Sequence, residues 1–393
     1  MMSFSNIKPT NQALNSLFWQ ETYLTMDKKN HDIEVLRTLA IVFVILAHIP
    51  GIFAPDSFYF RIISISKFGS GVDLFFCVSG FIITKSLLGK NFHLMEKGEF
   101  LSSAKDFYIK RAWRLMPAAL FWIAISLTLS FALESYEIFT TPIEMIKSSF
   151  FSITQTQNFY FPFCRMEGVC GNLGIYWSLS LENQFYLILP IILFMLNNKK
   201  LCWMMFFVFL VQFFIPRTLN SETPFAWPIR TDAIALGVII AVVSTKPFFV
   251  KLSRIIPNTA LFSAVTFALI SFLLALFTNP NPIVFFQTGL TALLSGILVL
   301  IASVNNNFFA RNTAITSVCD YIGSRSYSIY LTHFIVLVIV NGFFLKGIST
   351  STWPESIFHI ILFLSGTLIL SEFSYKLIEN KFRYFWMKNK SYI

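Results

Sequence analysis

Long apolar runs separated by short polar stretches organise this chain. Runs near the 17–25 residues that a helix needs to cross a bilayer fall at roughly 36–54, 69–88, 115–133, 174–196, 201–216, 229–244, 259–278, 283–304, 327–345 and 355–375. The fifth and sixth are the shortest, and the stretch that joins them, IPRTLNSETPFAWPI, is rich in turn formers. The pattern predicts an all-α membrane protein, a polytopic bundle of about ten transmembrane helices.

Polar residues inside the runs carry the next layer of information. Eleven residues separate Arg37 from His48 in the first run, DIEVLRTLAIVFVILAHI. A helix turns three times plus about 20° over that interval and rises about 16 Å, so both groups share a face. The second run carries Asp73 among apolar neighbours, with Gly69, Gly71 and Gly80 offering close helix approach. The fourth carries Glu182, Asn183 and Gln184, the sixth opens with Arg230 and Asp232, and the ninth carries His333. Ionisable groups at membrane depth are costly and mark function. Counting along the helices puts His48 and Glu182 near mid-bilayer and Asp73 a turn or two beyond. His48 with Glu182 or Asp73 is then the expected general base and its supporting carboxylate.

Composition agrees with this reading: 55% of residues are hydrophobic and 13% charged, far from the balance of a soluble domain. The formal charge of +10 reports topology rather than nucleic-acid binding. With the N-terminus placed in the cytoplasm, the cytoplasmic segments hold 23 Lys and Arg and the other side 7, which predicts cytoplasmic termini and a bacterial inner-membrane location. No cleavable signal peptide is legible. Residues 1–31 read as a cytoplasmic extension, with alternative starts at Met1 and Met26; residues 32–380 read as the membrane domain and 381–393 as a basic cytoplasmic tail. The long outer loop at 134–173 contains Cys164 and Cys170, which an oxidising compartment is expected to bridge. Cys77, Cys202 and Cys319 read as small apolar residues, and no spacing resembles a metal site.

A basic segment, KDFYIKRAWRLMP, precedes the third run. Arg111 and Arg114 are three apart, so a helix presents both guanidinium groups on one face, a fork suited to phosphate. The alternative is plain anchoring by positive charge.

Together these segments resemble the acyltransferase family 3 integral membrane proteins, which include O-antigen O-acetyltransferases. The resemblance rests on Arg37 and His48, GVDLFFCVSGFII with Asp73, Arg111 and Arg114 in FYIKRAWRLMP, WSLSLENQFYL with Glu182, RTDAIALG with Arg230 and Asp232, and SYSIYLTH with Tyr330 and His333, in that order across residues 32–380. The chain departs from the family pattern at Asn183, where a second Glu is common, and at Thr332, where Trp is common. It looks like the short form, without the fused extracytoplasmic hydrolase-like domain of some relatives. The resemblance implies transfer of an acetyl group from cytoplasmic acetyl-CoA to a hydroxyl of an envelope glycan, such as O-antigen lipopolysaccharide or another polysaccharide. It implies Arg37, Arg111 and Arg114 for the donor, His48 as base or transient acyl carrier with Glu182 and Asp73, and Arg230, Asp232, Tyr330 and His333 for the acceptor. The competing class is a proton-coupled transporter or flippase of a small or lipid-linked substrate. Inverted repeats with broken helices would mark that class, and none is legible.

Overall fold

A computed structural model describes residues 29–49, 52, 58–215, 229–253, 257–278, 283–345 and 353–390. Among these the regular elements are helical. The first helix, α1 (His31–His48), starts where the Asn30 side chain accepts from the Ile33 backbone, with Asp32 and Glu34 complementing the helix dipole in the first turn. Asp32 is buried and accepts from the backbone N–H groups of Phe308, Phe309 and Ala310 at 2.7–2.9 Å, which fastens the start of α1 to a distant loop. Helix α1 ends at His48, several residues before the expected end of the run.

The chain continues through α2 (Phe58–Ile65), α3 (Ser70–Leu88) and the 36-residue α4 (Lys97–Ala132). The long stretch expected as a loop holds two helices, α5 (Pro142–Ile153) and α6 (Gln157–Met166). Thr141 caps α5 and proline opens it, a combination that starts helices because proline has no N–H to leave unpaired. A tighter turn at Gly171–Ile175 then leads into α7 (Tyr176–Met195). Next come α8 (Asn198–Phe213), α9 (Asp232–Val243), α10 (Pro247–Ser253), α11 (Ala260–Leu276) and α12 (Gln287–Ser303). Helix α13 (Thr313–Val340) runs into a wider π turn at Asn341–Leu345. Helix α14 (Trp353–Phe373) runs through a π turn at Ser374–Glu379 into α15 (Asn380–Lys390).

All ten predicted apolar runs are helical over most of their length. Among the described residues, five helical stretches are long and apolar enough to cross a membrane: Ser70–Leu94, Lys97–Ala132, Gly171–Met195, Thr313–Phe344 and Glu355–Phe385. Helices α9, α11 and α12 are apolar but shorter. Many outward-facing side chains are apolar: Phe207, Leu261 and Ile369 are 64%, 76% and 67% exposed, while many Ser and Thr hydroxyls lie inside. That inverted distribution suits a lipid surround. The expected extension 1–31 lies almost wholly outside the described residues.

Helices α1, α3, α9 and α13 cross tightly at the centre. A Cβ at Gly71 would lie 2.6 Å from the Ala40 carbonyl oxygen of α1, and one at Gly237 would lie 2.7 Å from the Phe81 backbone nitrogen of α3. Gly80 is pressed in the same way onto the Ile234 backbone. Gly69 is different: the nearest atom to its Cβ position is 4.0 Å away, so its side lies open.

Candidate functional site

Two cavities flank the centre of the bundle. The first, about 100 Å³, is lined by Arg37, Arg111, Arg114, Glu182, Ser178 and Tyr330, with apolar neighbours from α3. Helix α1 supplies Arg37, and one face of α4 supplies Arg111 and Arg114, as their spacing requires. Arg37 donates from Nη2 to Ser326 Oγ at 2.9 Å and pairs with Glu34 at 3.3 Å. The Arg111 guanidinium sits 4.2 Å from the centre of the Tyr186 ring, and its buried Nε has no hydrogen-bond partner among the described residues. Glu182 accepts from the hydroxyls of Ser79 and Tyr186. Three guanidinium groups facing one carboxylate leave the lining net positive, and an unpaired buried N–H favours an incoming acceptor atom.

The second cavity, about 440 Å³, has His48, Arg165, Thr140, Asn172, Phe161 and Trp177 in its lining. His48 Nδ1 lies 2.7 Å from the Val44 carbonyl. A carbonyl can only accept, so the proton sits on Nδ1 and Nε2 keeps its lone pair. His333 is buried and shows the same pattern, with Nδ1 2.7 Å from the Tyr330 carbonyl. The two imidazole rings meet edge to face at 5.2 Å, and Tyr330 lies 5.6 Å from His333. The Tyr330 hydroxyl donates to the Ile175 carbonyl at 2.9 Å and meets Ser178 Oγ at 2.7 Å. Ile175 lines the second cavity and Ser178 the first, so this crossing stands between them.

The structure separates groups that depth counting had put together. Glu182 does not join His48. Ile175 lines the same cavity as His48, and Glu182 lies seven residues further along, about 10 Å down the helix, beside the arginines. His48 is the last residue of α1 rather than a mid-helix residue. Asp73 does not join His48 either: it is buried in an ion pair with Arg230 and accepts from Thr291 Oγ1 at 3.2 Å, tying α3 to α12 and to the start of α9. The backbone N–H of Asp232 donates to Gln212 of α8 at 3.1 Å. Arg230 and Asp232 line neither cavity, whereas Tyr330 lines the first and His333 touches His48.

Sequence reasoning missed several groups. Ser178 stands inside the quoted WSLSLENQFYL motif but carries no charge to draw notice. Glu379 is buried and accepts from Ser328 through a π turn that periodicity does not reveal. Arg165 had one signal, its place beside Cys164. Cys164 and Cys170 are joined in a disulfide, with Cα atoms 4.8 Å apart.

A family model described as an acyltransferase domain matches residues 30–372. A protein of Staphylococcus aureus strain COL, provisionally named an O-acetyltransferase, is 28% identical over 88% of this chain and 56% of its own length. The O-acetyltransferase OatA of S. aureus strain NCTC 8325 is 26% identical over the same shares. The chain thus spans about half the length of the curated relatives it matches. No solved structure matches it. With the model covering residues 30–372 and both cavities built inside that range, the chain belongs to the acyltransferase family 3 membrane proteins.

Proposed function

We propose that the protein transfers an acetyl group from acetyl-CoA, whose phosphates dock at the mouth of the arginine-lined cavity, to a hydroxyl of an envelope glycan in the histidine-lined cavity. The observation that carries this reading is the pair of cavities, one cationic and one holding a basic imidazole nitrogen, with Tyr330 and His333 between them. Family membership favours transfer over a proton-coupled carrier. The charge asymmetry of Lys and Arg supports ten spans, cytoplasmic termini and an inner-membrane location, with the arginine cavity toward the cytoplasm.

Acetyl-CoA, when bound, supplies an activated acyl group and a thiolate leaving group. Arg37, Arg111 and Arg114 would hold its phosphates, since planar guanidinium groups pair with such oxygens bidentately. His48 keeps Nε2 free to take the proton of the acceptor hydroxyl, because Val44 fixes the proton on Nδ1. A carbon–oxygen bond forms as the carbon–sulfur bond breaks, and the proton held at His48 ends on the thiolate. Glu182 restrains the arginines through Ser79, Tyr186 and its own charge. The test is His48→Ala in the full chain in native membranes, with labelled acetyl-CoA. Loss of transfer with donor binding retained is expected. A folded variant transferring at wild-type rate would refute the assignment.

A further inference from the structure

The histidine cavity has a one-sided charge. Its described lining contains Arg165 but no aspartate or glutamate. Arg165 forms no ion pair among the described residues; its guanidinium lies 5.9 Å from the centre of the Phe161 ring, which stacks on Trp177. Arg165 stands in the last turn of α6, and the loop that follows it is built rather than loose. The Cys164–Cys170 disulfide closes around it, Val169 N donates to the Cys164 carbonyl at 2.8 Å, and Gly168 N donates to the Arg165 carbonyl at 3.2 Å. Gly168 takes φ +74°, which favours glycine. Phe161 and Trp177 add flat apolar faces to that lining, and Thr140 and Asn172 add hydrogen-bonding groups. The volume of about 440 Å³ lies within the small-ligand range of roughly 300–1,000 Å³. Arg165 is exposed at the cavity edge, where a neutral sugar would leave its charge to solvent alone, whereas a carboxylate answers it with charge-assisted hydrogen bonds.

We infer that the acceptor is an acidic sugar whose carboxylate pairs with Arg165 while a neighbouring hydroxyl meets His48. This rests on the acyl-transfer reading above and names its acceptor class. Arg165 is then a specificity residue: it binds the acceptor and leaves proton transfer to His48.

The test uses the full-length protein in permeabilised membranes with labelled acetyl-CoA. The two added acceptors are methyl β-xyloside and methyl β-glucuronide, which share a ring and differ by the carboxylate. Transfer is measured for the wild type, Arg165→Gln and Arg165→Lys, with donor binding and the intact disulfide as folding controls. The wild type should show a KM for the glucuronide lower by about tenfold or more, the scale of a charged hydrogen bond. Arg165→Gln should bring the glucuronide to the level of the xyloside, and Arg165→Lys should keep part of the preference. Equal KM values in the wild type, a preference that survives Arg165→Gln, or a fall in kcat alone for both sugars would each overturn the inference. So would transfer to neither glycoside while the membranes' own acceptor is labelled. Absence of transfer to every acceptor, that one included, would overturn the underlying functional reading instead.

Discussion

Gly71→Ala should loosen the bundle at the helix that carries both Arg37 and His48. The added methyl carbon would lie 2.6 Å from the Ala40 carbonyl oxygen, 2.9 Å from Phe43 Cβ and 3.0 Å from the Val44 nitrogen, all on α1. Ordinary contact begins near 3.4 Å, so α1 must retreat by about 0.8 Å, the difference from 2.6 Å. Two of the three obstructing atoms are backbone, so no side-chain rotation relieves the clash. Overpacking of this kind costs about 1–3 kcal/mol. The shift lands on Val44, whose carbonyl fixes the His48 tautomer, so the transfer rate should fall together with stability. Gly98→Ala is the control, because a Cβ there meets nothing within 4 Å; on an exposed helix it should be neutral or stabilising by up to about 1 kcal/mol. Thermal unfolding of the detergent-solubilised protein, followed by tryptophan fluorescence, compares the two with wild type. A Gly71→Ala midpoint equal to that of Gly98→Ala, with transfer unchanged, would refute the packing argument.

Three further outcomes are expected. Arg111→Ala or Arg114→Ala should weaken acetyl-CoA binding, with lysine failing to restore a bidentate contact; unchanged donor affinity in both alanine variants would return these residues to topology. Peptide mass spectrometry of unreduced protein should find Cys164 and Cys170 joined, and free thiols at both positions would contradict the fold of that loop. Reporter fusions at Lys200 and near Asn158 should report opposite compartments, inside and outside respectively, and a shared compartment would refute the ten-span topology.

What the sequence by itself determined is local. The apolar runs marked the helices, because burying a backbone in lipid leaves a helix few alternatives. The shared face of Arg37 and His48, and that of Arg111 and Arg114, follows from helical periodicity alone. Partner choice was not local. Depth counting assumed that the first run stays helical to about residue 54, but α1 stops at His48, which moves the imidazole to a helix end and away from Glu182. Asp73 found Arg230, 157 positions along the chain, and His48 found the ring of His333. Gly69 and Gly71 look alike in sequence, yet two residues turn a helix by about 200°, so only Gly71 faces α1. Arg165 joined His48 in one cavity lining only through the tertiary placement of the end of α6 and its disulfide-closed loop. Period and charge are properties of a segment; where helices end and how they cross depend on neighbours distant in the chain.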